Sequence, residues 1–286
     1  MMADQAQSLR KLAAKDRTPR RTKVITVASG KGGVGKTNLV VNLGIVLARL
    51  GKVTTLVDAD LGLANVDVVL GQFFEFDLEH VLKGQKTLEE VIGIGPHGLR
   101  IVPSASGVPE MANMENKQRS RLISELAKLE HTTDFLLIDT GAGISRNVLA
   151  FANLADEVLI VVTPEPTSLA DAYGLVKLLV KSKAVRNIAL VVNRAQGAQE
   201  GKLTGERFLA LVERFLSFKM RFLGYIADDA VVGQAVRKQQ PFVMGHPESW
   251  PSRQVEKIAR ELLGEVASPE PERGLLAGLM RLFGGR

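Results

Sequence analysis

The chain has no cysteine. This excludes disulfides, thiolate metal sites and cysteine-held iron–sulfur clusters. Its four histidines, His80, His97, His131 and His246, are scattered, and no ligand set for a metal follows from their spacing. No Ser-His-Asp constellation or glycosidase-type carboxylate pair can be argued from spacing either. Tyrosine occurs only twice, without a tyrosine-rich tail, which disfavours a bacterial tyrosine kinase. There is no run of 18 apolar residues, so no membrane-spanning helix is expected. The first residues are polar and charged, unlike a signal peptide.

What remains is an ordinary globular composition. Of 286 residues, 45% are apolar, enough for one large α/β domain with appendages. The net charge is +6 and the isoelectric point about 9.5. Residues 1–23 hold seven basic side chains against two acidic ones, so the remainder is close to neutral. The basicity belongs to an arm, and direct nucleic-acid binding by the body is not expected.

From residue 23 onward, short Val/Ile/Leu runs alternate with helical patterns. Strands are predicted at 23–28, 53–58, 99–103, 134–138, 156–162, 187–192 and 221–226. Most lack polar alternation, as in strands buried on both faces. Helices are predicted at 36–50, 116–130, 145–153, 168–182, 204–217, 229–238 and 249–264. The expected fold is α/β: a doubly wound, mostly parallel sheet with helices on both faces and ligand at the carboxyl ends of the strands. Residues 1–22 read as an arm, 23–264 as the domain, and 265–286 as a Pro/Glu linker followed by a short amphipathic segment. No internal repeat is visible.

Residues Gly30-Lys31-Gly32-Gly33-Val34-Gly35-Lys36-Thr37 match the phosphate-binding pattern G-x-x-x-x-G-K-[ST]. The run follows a strand and opens a helix at Asn38, the context the motif requires. Glycines let successive backbone N–H groups close around a phosphate, and the helix N-terminus favours an anion. Lys36 can reach the β- and γ-phosphates, and the Thr37 hydroxyl can sit on Mg²⁺.

The additional Lys31 makes the pattern K-G-G-x-G-K-T, which resembles the deviant Walker A motif of the MinD/ParA family of P-loop ATPases. Two relatives of this loop type, nitrogenase iron protein and the iron–sulfur scaffold ATPases, need cysteines that are absent here. The resemblance implies ATP/ADP and Mg²⁺ as cofactors and an ATP-dependent homodimer, with Lys31 crossing to the partner's nucleotide. It implies catalytic roles for Lys31, Lys36 and Asp60, the last orienting the attacking water. Asp58 would lie nearer the metal's outer surroundings. Asp139 would hold Mg²⁺, and Gly141 and Gly143 would follow the γ-phosphate as a switch. Asn193 and Arg194 would flank the adenine. So would the loop Ile226-Ala227-Asp228-Asp229, where Ala227 departs from the family's proline. The segment from Pro164 to Tyr173 would support the dimer face.

Two appendages narrow the resemblance. Asp4, Gln5, Ala6, Leu9 and Arg10 form D-Q-A-x-x-L-R, similar to the element by which the FlhG (FleN, YlxH) branch, regulators of flagellar number and placement, stimulates the GTPase FlhF. At the other end, Leu275, Leu276, Leu279, Met280, Leu282 and Phe283 fall within about 160° of a helical wheel. This is the pattern of a reversible membrane anchor. The expectation is therefore a slow regulatory ATPase, cytoplasmic and reversibly bound to the inner face of the cell membrane. The resemblance leaves flagellar switch proteins or a transcriptional regulator open as further partners. The alternatives are a ParA-type DNA-segregation ATPase, a MinD-type division-site ATPase, and a metabolic ligase of the same fold.

Overall fold

The computed structural model describes residues 22–60, 65–104, 116–183 and 185–265. Eight strands form one sheet: β1 (Lys23–Ser29), β2 (Thr54–Ala59), β3 (Gly93–Ile94), β4 (Arg100–Val102), β5 (Phe135–Ala142), β6 (Glu157–Val162), β7 (Ile188–Ala195) and β8 (Arg221–Ala227). Their order is β3-β4-β2-β5-β1-β6-β7-β8. Every neighbouring pair is parallel except β3 with β4. The central strands are buried end to end, which explains their unbroken apolar runs.

Helix α1 (Lys36–Arg49) covers one face of the sheet together with α11 (Trp250–Leu262). On the opposite face lie α6 (Arg146–Leu154), α7 (Pro166–Ser182) and α8 (Ala198–Leu216). A third apolar cluster seats α3 (Leu78–Leu82) and α4 (Leu88–Val91) near α5 (Asn116–Ala127). Helices α2 (Val66–Leu70), α9 (Ala230–Arg237) and α10 (Phe242–Gly245) complete the described α-helices.

All seven expected strands are present. Strands β5 and β7 run further than read, to Ala142 and Ala195. The additional β3 has only two residues, too short for any period. The short helices α2, α3, α4 and α10 were missed for the same reason. Helix α8 begins at Ala198, six residues before the expected 204. Its polar first turns carry little periodicity. What recruits them is contact: the α-carbons of Gly201 and Gly205 lie against the rings of Tyr225 and Phe222 on β8, where a Cβ would collide. The arm element at Asp4–Arg10 and the tail element at Leu275–Phe283 lie outside the described residues.

Candidate nucleotide site

The phosphate loop connects β1 to α1 at the carboxyl end of the sheet. Gly33 and Gly35 have φ of 77° and 89°, conformations that disfavour a side chain. The Ser29 hydroxyl donates to the Lys31 carbonyl at 2.8 Å, and Gly143 N–H donates to the Ser29 carbonyl at 2.9 Å. The loop is thus tied to the strand end that carries Gly141 and Gly143. Gly30 abuts α7, and a Cβ there would run into the Asp171 backbone. Gly35 abuts Asn193, whose side-chain amide donates to the Val34 carbonyl at 2.7 Å. Asn193 therefore braces the loop itself, beyond the base contact expected of it.

Two cavities open above these elements. One, of about 720 Å³, is lined by Gly32, Gly33, Lys36 and Thr37 of the loop, by Asp60 and Asn65 after β2, and by Gly141, Ser145 and Asn147 after β5. The other, of about 600 Å³, is lined by Asn193, Arg194, Ala227, Asp228 and Asp229, with Val232, Gly233 and Arg237 of α9. Both include Gly35 and Asn38. They form one trough bent around the start of α1, with a donor-rich chamber on the side of Lys36 and Thr37 and a second chamber on the side of Asn193 and Asp228. Sequence reasoning missed Asn65, Asn147 and the α9 wall. The signal for the last was Asp229, which caps α9 by accepting from Val231 N–H at 2.9 Å and so aims that helix at the site.

Not every expected residue faces the trough. Ile226 and Val34 are buried in the core beneath α1 and α11. Arg194 does face it, 3.7 Å from Asp228 at the rim. Lys31 points away along the surface. Its ammonium donates to Glu165 at 2.9 Å and to the Thr167 hydroxyl at 3.1 Å. Both partners lie at the start of α7, within the Pro164–Tyr173 segment. Lys31 lowers the Glu165 pKa, chiefly through this hydrogen bond. The pair is half exposed, so it is screened and yields easily.

Beneath the phosphate chamber, Asp58 and Asp139 lie opposite each other on β2 and β5. Asp58 accepts from the backbone N–H groups of Asp60, Asn65 and Val66 at 3.1, 3.1 and 3.2 Å, which ties the end of β2 to the start of α2. Burial, and then the charge of Asp139, push its pKa up to about 8. Asp139 is fully buried, and neither oxygen has a donor at hydrogen-bonding geometry. Burial raises its pKa to about 6, outweighing the Lys36 ammonium and the Thr37 hydroxyl nearby. A buried carboxylate with no donor, next to a P-loop threonine, fits a divalent cation. Asp60, half-buried at the chamber wall, has its carboxylate beside Gly141.

Comparison with known proteins agrees with this geometry. The family described as ParA, NUBPL iron-transfer P-loop NTPase, matches residues 20–263. The antiactivator FleN of Pseudomonas aeruginosa is 41% identical over 239 residues, covering 84% of this chain and 85% of FleN. The flagellum site-determining protein YlxH of Helicobacter pylori is 32% identical, covering 92% and 90%. Among solved structures, the septum site-determining protein MinD of Pyrococcus horikoshii in complex with Mg-ADP superposes with a TM-score of 0.73. It shares 26% identity over 87% of this chain and the whole of that one.

Proposed function

The chain belongs to the ParA/MinD family of P-loop NTPases, ATPases that use Mg²⁺ and nucleotide, and on that premise we propose that it is a dimerising ATP switch that sets flagellar number or placement. The observation that carries the reading is the bent trough, with Lys36 and Thr37 in one limb above the buried Asp139, and Asn193 and Asp228 in the other. The flagellar assignment draws its support from the similarity to FleN and YlxH.

In this reading the loop N–H groups and Lys36 bind the phosphates. Thr37 and Asp139 hold Mg²⁺, which supplies charge neutralisation at the transferred phosphoryl group. Asp60 aligns the attacking water, and Gly141 and Gly143 let the β5 loop answer the γ-phosphate. Lys31 leaves Glu165 and Thr167 to reach the partner's nucleotide. The arm at Asp4, Gln5, Ala6, Leu9 and Arg10 stimulates a GTPase of the FlhF type. The apolar side of residues 275–283 attaches the ATP dimer reversibly to the inner face of the cell membrane, so that hydrolysis returns the protein to the cytoplasm.

Size measurement with ADP and with a non-hydrolysable ATP analogue tests the core of this proposal. The wild type is expected to be monomeric with ADP and dimeric with the analogue, and Lys31→Ala to bind nucleotide without dimerising. A wild type that stays monomeric under saturating analogue and Mg²⁺ removes it.

A further inference from the structure

Strand β8 is the last in the sheet, and no strand among the described residues pairs with its outer edge. Successive N–H groups along a strand point to opposite sides. Asp228 N–H donates inward, to the Ala195 carbonyl of β7 at 2.8 Å. Ala227 N–H therefore faces the open edge, where the ladder offers it no carbonyl. A side chain takes it instead: Gln254 of α11 accepts on Oε1 at 2.7 Å. Gln254 reaches this point because α11 lies along β8, with Ile258, one turn further on, against Gly224. Gln254 is buried, and its Nε2 has no partner. A buried donor left unpaired is a cost in stability. A methionine of similar length would fill the space without that cost, so what the amide contributes is its acceptor.

Ala227 opens the loop that lines the second chamber of the trough together with Asn193 and Arg194. Three consecutive residues of that loop are held by three different elements. Gln254 of α11 holds Ala227, the end of β7 holds Asp228, and Asp229 caps α9, which walls the same chamber. Gln254 does not itself line the chamber. We propose that Gln254 is a positioning residue for the base of the bound nucleotide. By accepting the Ala227 N–H it fixes residues 227–229 in the form that receives the base, and so sets affinity for that half of the ligand without touching it. A loop already held in its binding form loses less freedom when the ligand arrives. Without the acceptor, the Ala227 N–H turns to water in the chamber and the loop is released at its first residue. The inference rests on the nucleotide reading given above and adds to it a control point on α11.

The test compares wild type, Gln254→Met and Gln254→Glu as full chains with Mg²⁺. It measures affinity for ATP and for inorganic tripolyphosphate, which has the phosphates and no base. Gln254→Met keeps the length and loses the acceptor. Gln254→Glu keeps an acceptor in either protonation state, and replacing an unpartnered Nε2 loses no hydrogen bond. Gln254→Met should bind ATP about tenfold more weakly, with tripolyphosphate affinity and turnover at saturating ATP within about twofold of wild type. Its Ala227 amide should exchange faster with solvent. Gln254→Glu should match wild type in ATP affinity and in that exchange rate. A merely structural role would instead lower the unfolding midpoint and weaken both ligands together. Three results overturn the proposal: ATP affinity of Gln254→Met within about twofold of wild type, equal loss of ATP and tripolyphosphate, or a loss in Gln254→Glu as large as in Gln254→Met. A wild type that binds ATP no better than tripolyphosphate would refute the base-binding role of the chamber itself. One that binds neither would refute the nucleotide reading, and either result takes this inference with it.

Discussion

Replacing Asp139 with asparagine should make the protein more stable and inactive at once. The wild-type carboxylate is fully buried, with only the Thr37 hydroxyl and the Lys36 ammonium near it, and its pKa is raised from 3.8 to about 6. A folded-state pKa above the unfolded one means that the native state holds the proton more tightly. Stability is therefore lost as pH rises from about 4 through 6, and the loss is complete above that. At about 1.4 kcal/mol per pKa unit, the buried charge costs roughly 3 kcal/mol at pH 8. The amide of the Asp139→Asn variant carries no charge, so the variant should escape this cost. Neutralising position 139 also removes the second cause of the raised Asp58 pKa, which acts in the same direction. For a chain of this size the gain corresponds to roughly 6–12 °C in Tm. The assay is thermal unfolding without nucleotide, in EDTA, at pH 4 and pH 8. The variant should match the wild type at pH 4 and exceed it at pH 8. Added Mg-ADP should reverse the order, because only the wild type has the anion that Mg²⁺ pairs with. A variant less stable than wild type at pH 8 in EDTA would refute the reasoning, since the carboxylate would then be holding the fold together rather than waiting for a cation.

Three further outcomes are expected. Asp60→Ala should bind ATP and dimerise but turn over at least tenfold more slowly in a phosphate-release assay, so that the dimer accumulates; turnover within about twofold of wild type would free Asp60 from the water-aligning role. Gly30→Ala should push the start of α7 away from the loop, costing about 1–3 kcal/mol in denaturant unfolding, and should weaken dimerisation more than nucleotide binding; an unchanged unfolding midpoint would contradict the contact with Asp171. Phe283→Glu should abolish co-sedimentation with anionic liposomes in ATP while leaving nucleotide binding intact, because a short amphipathic segment has little apolar area to spare and needs both copies of a dimer; equal pelleting in ADP and ATP would argue against the anchor.

The phosphate loop was legible in the sequence because its conformation is local. Gly33 and Gly35 adopt the left-handed geometry that their lack of a side chain allows, and strand, loop and helix follow within thirty residues. The buried parallel strands were legible for a related reason, since burial on both faces leaves unbroken apolar runs. Elements of two to five residues, such as β3 and α3, were not, because no period fits within them. Even where a capping box marks the start, as at Asp77 and His80, packing decides whether a helix forms.

Residue chemistry alone thus determined that a loop of phosphate-binding pattern opens α1 and that most of the net positive charge falls within residues 1–23. The tertiary structure decided which distant residues meet there. It set Asp58 beside Asp139 across two strands, turned Asn193 onto the loop it braces, and laid Lys31 against Glu165, 134 positions away. It also left β8 at the sheet edge and brought Gln254 to the Ala227 N–H. Backbone torsions are governed by neighbours in sequence, whereas burial, pairing and pKa depend on neighbours in space, and the order of the strands chooses those.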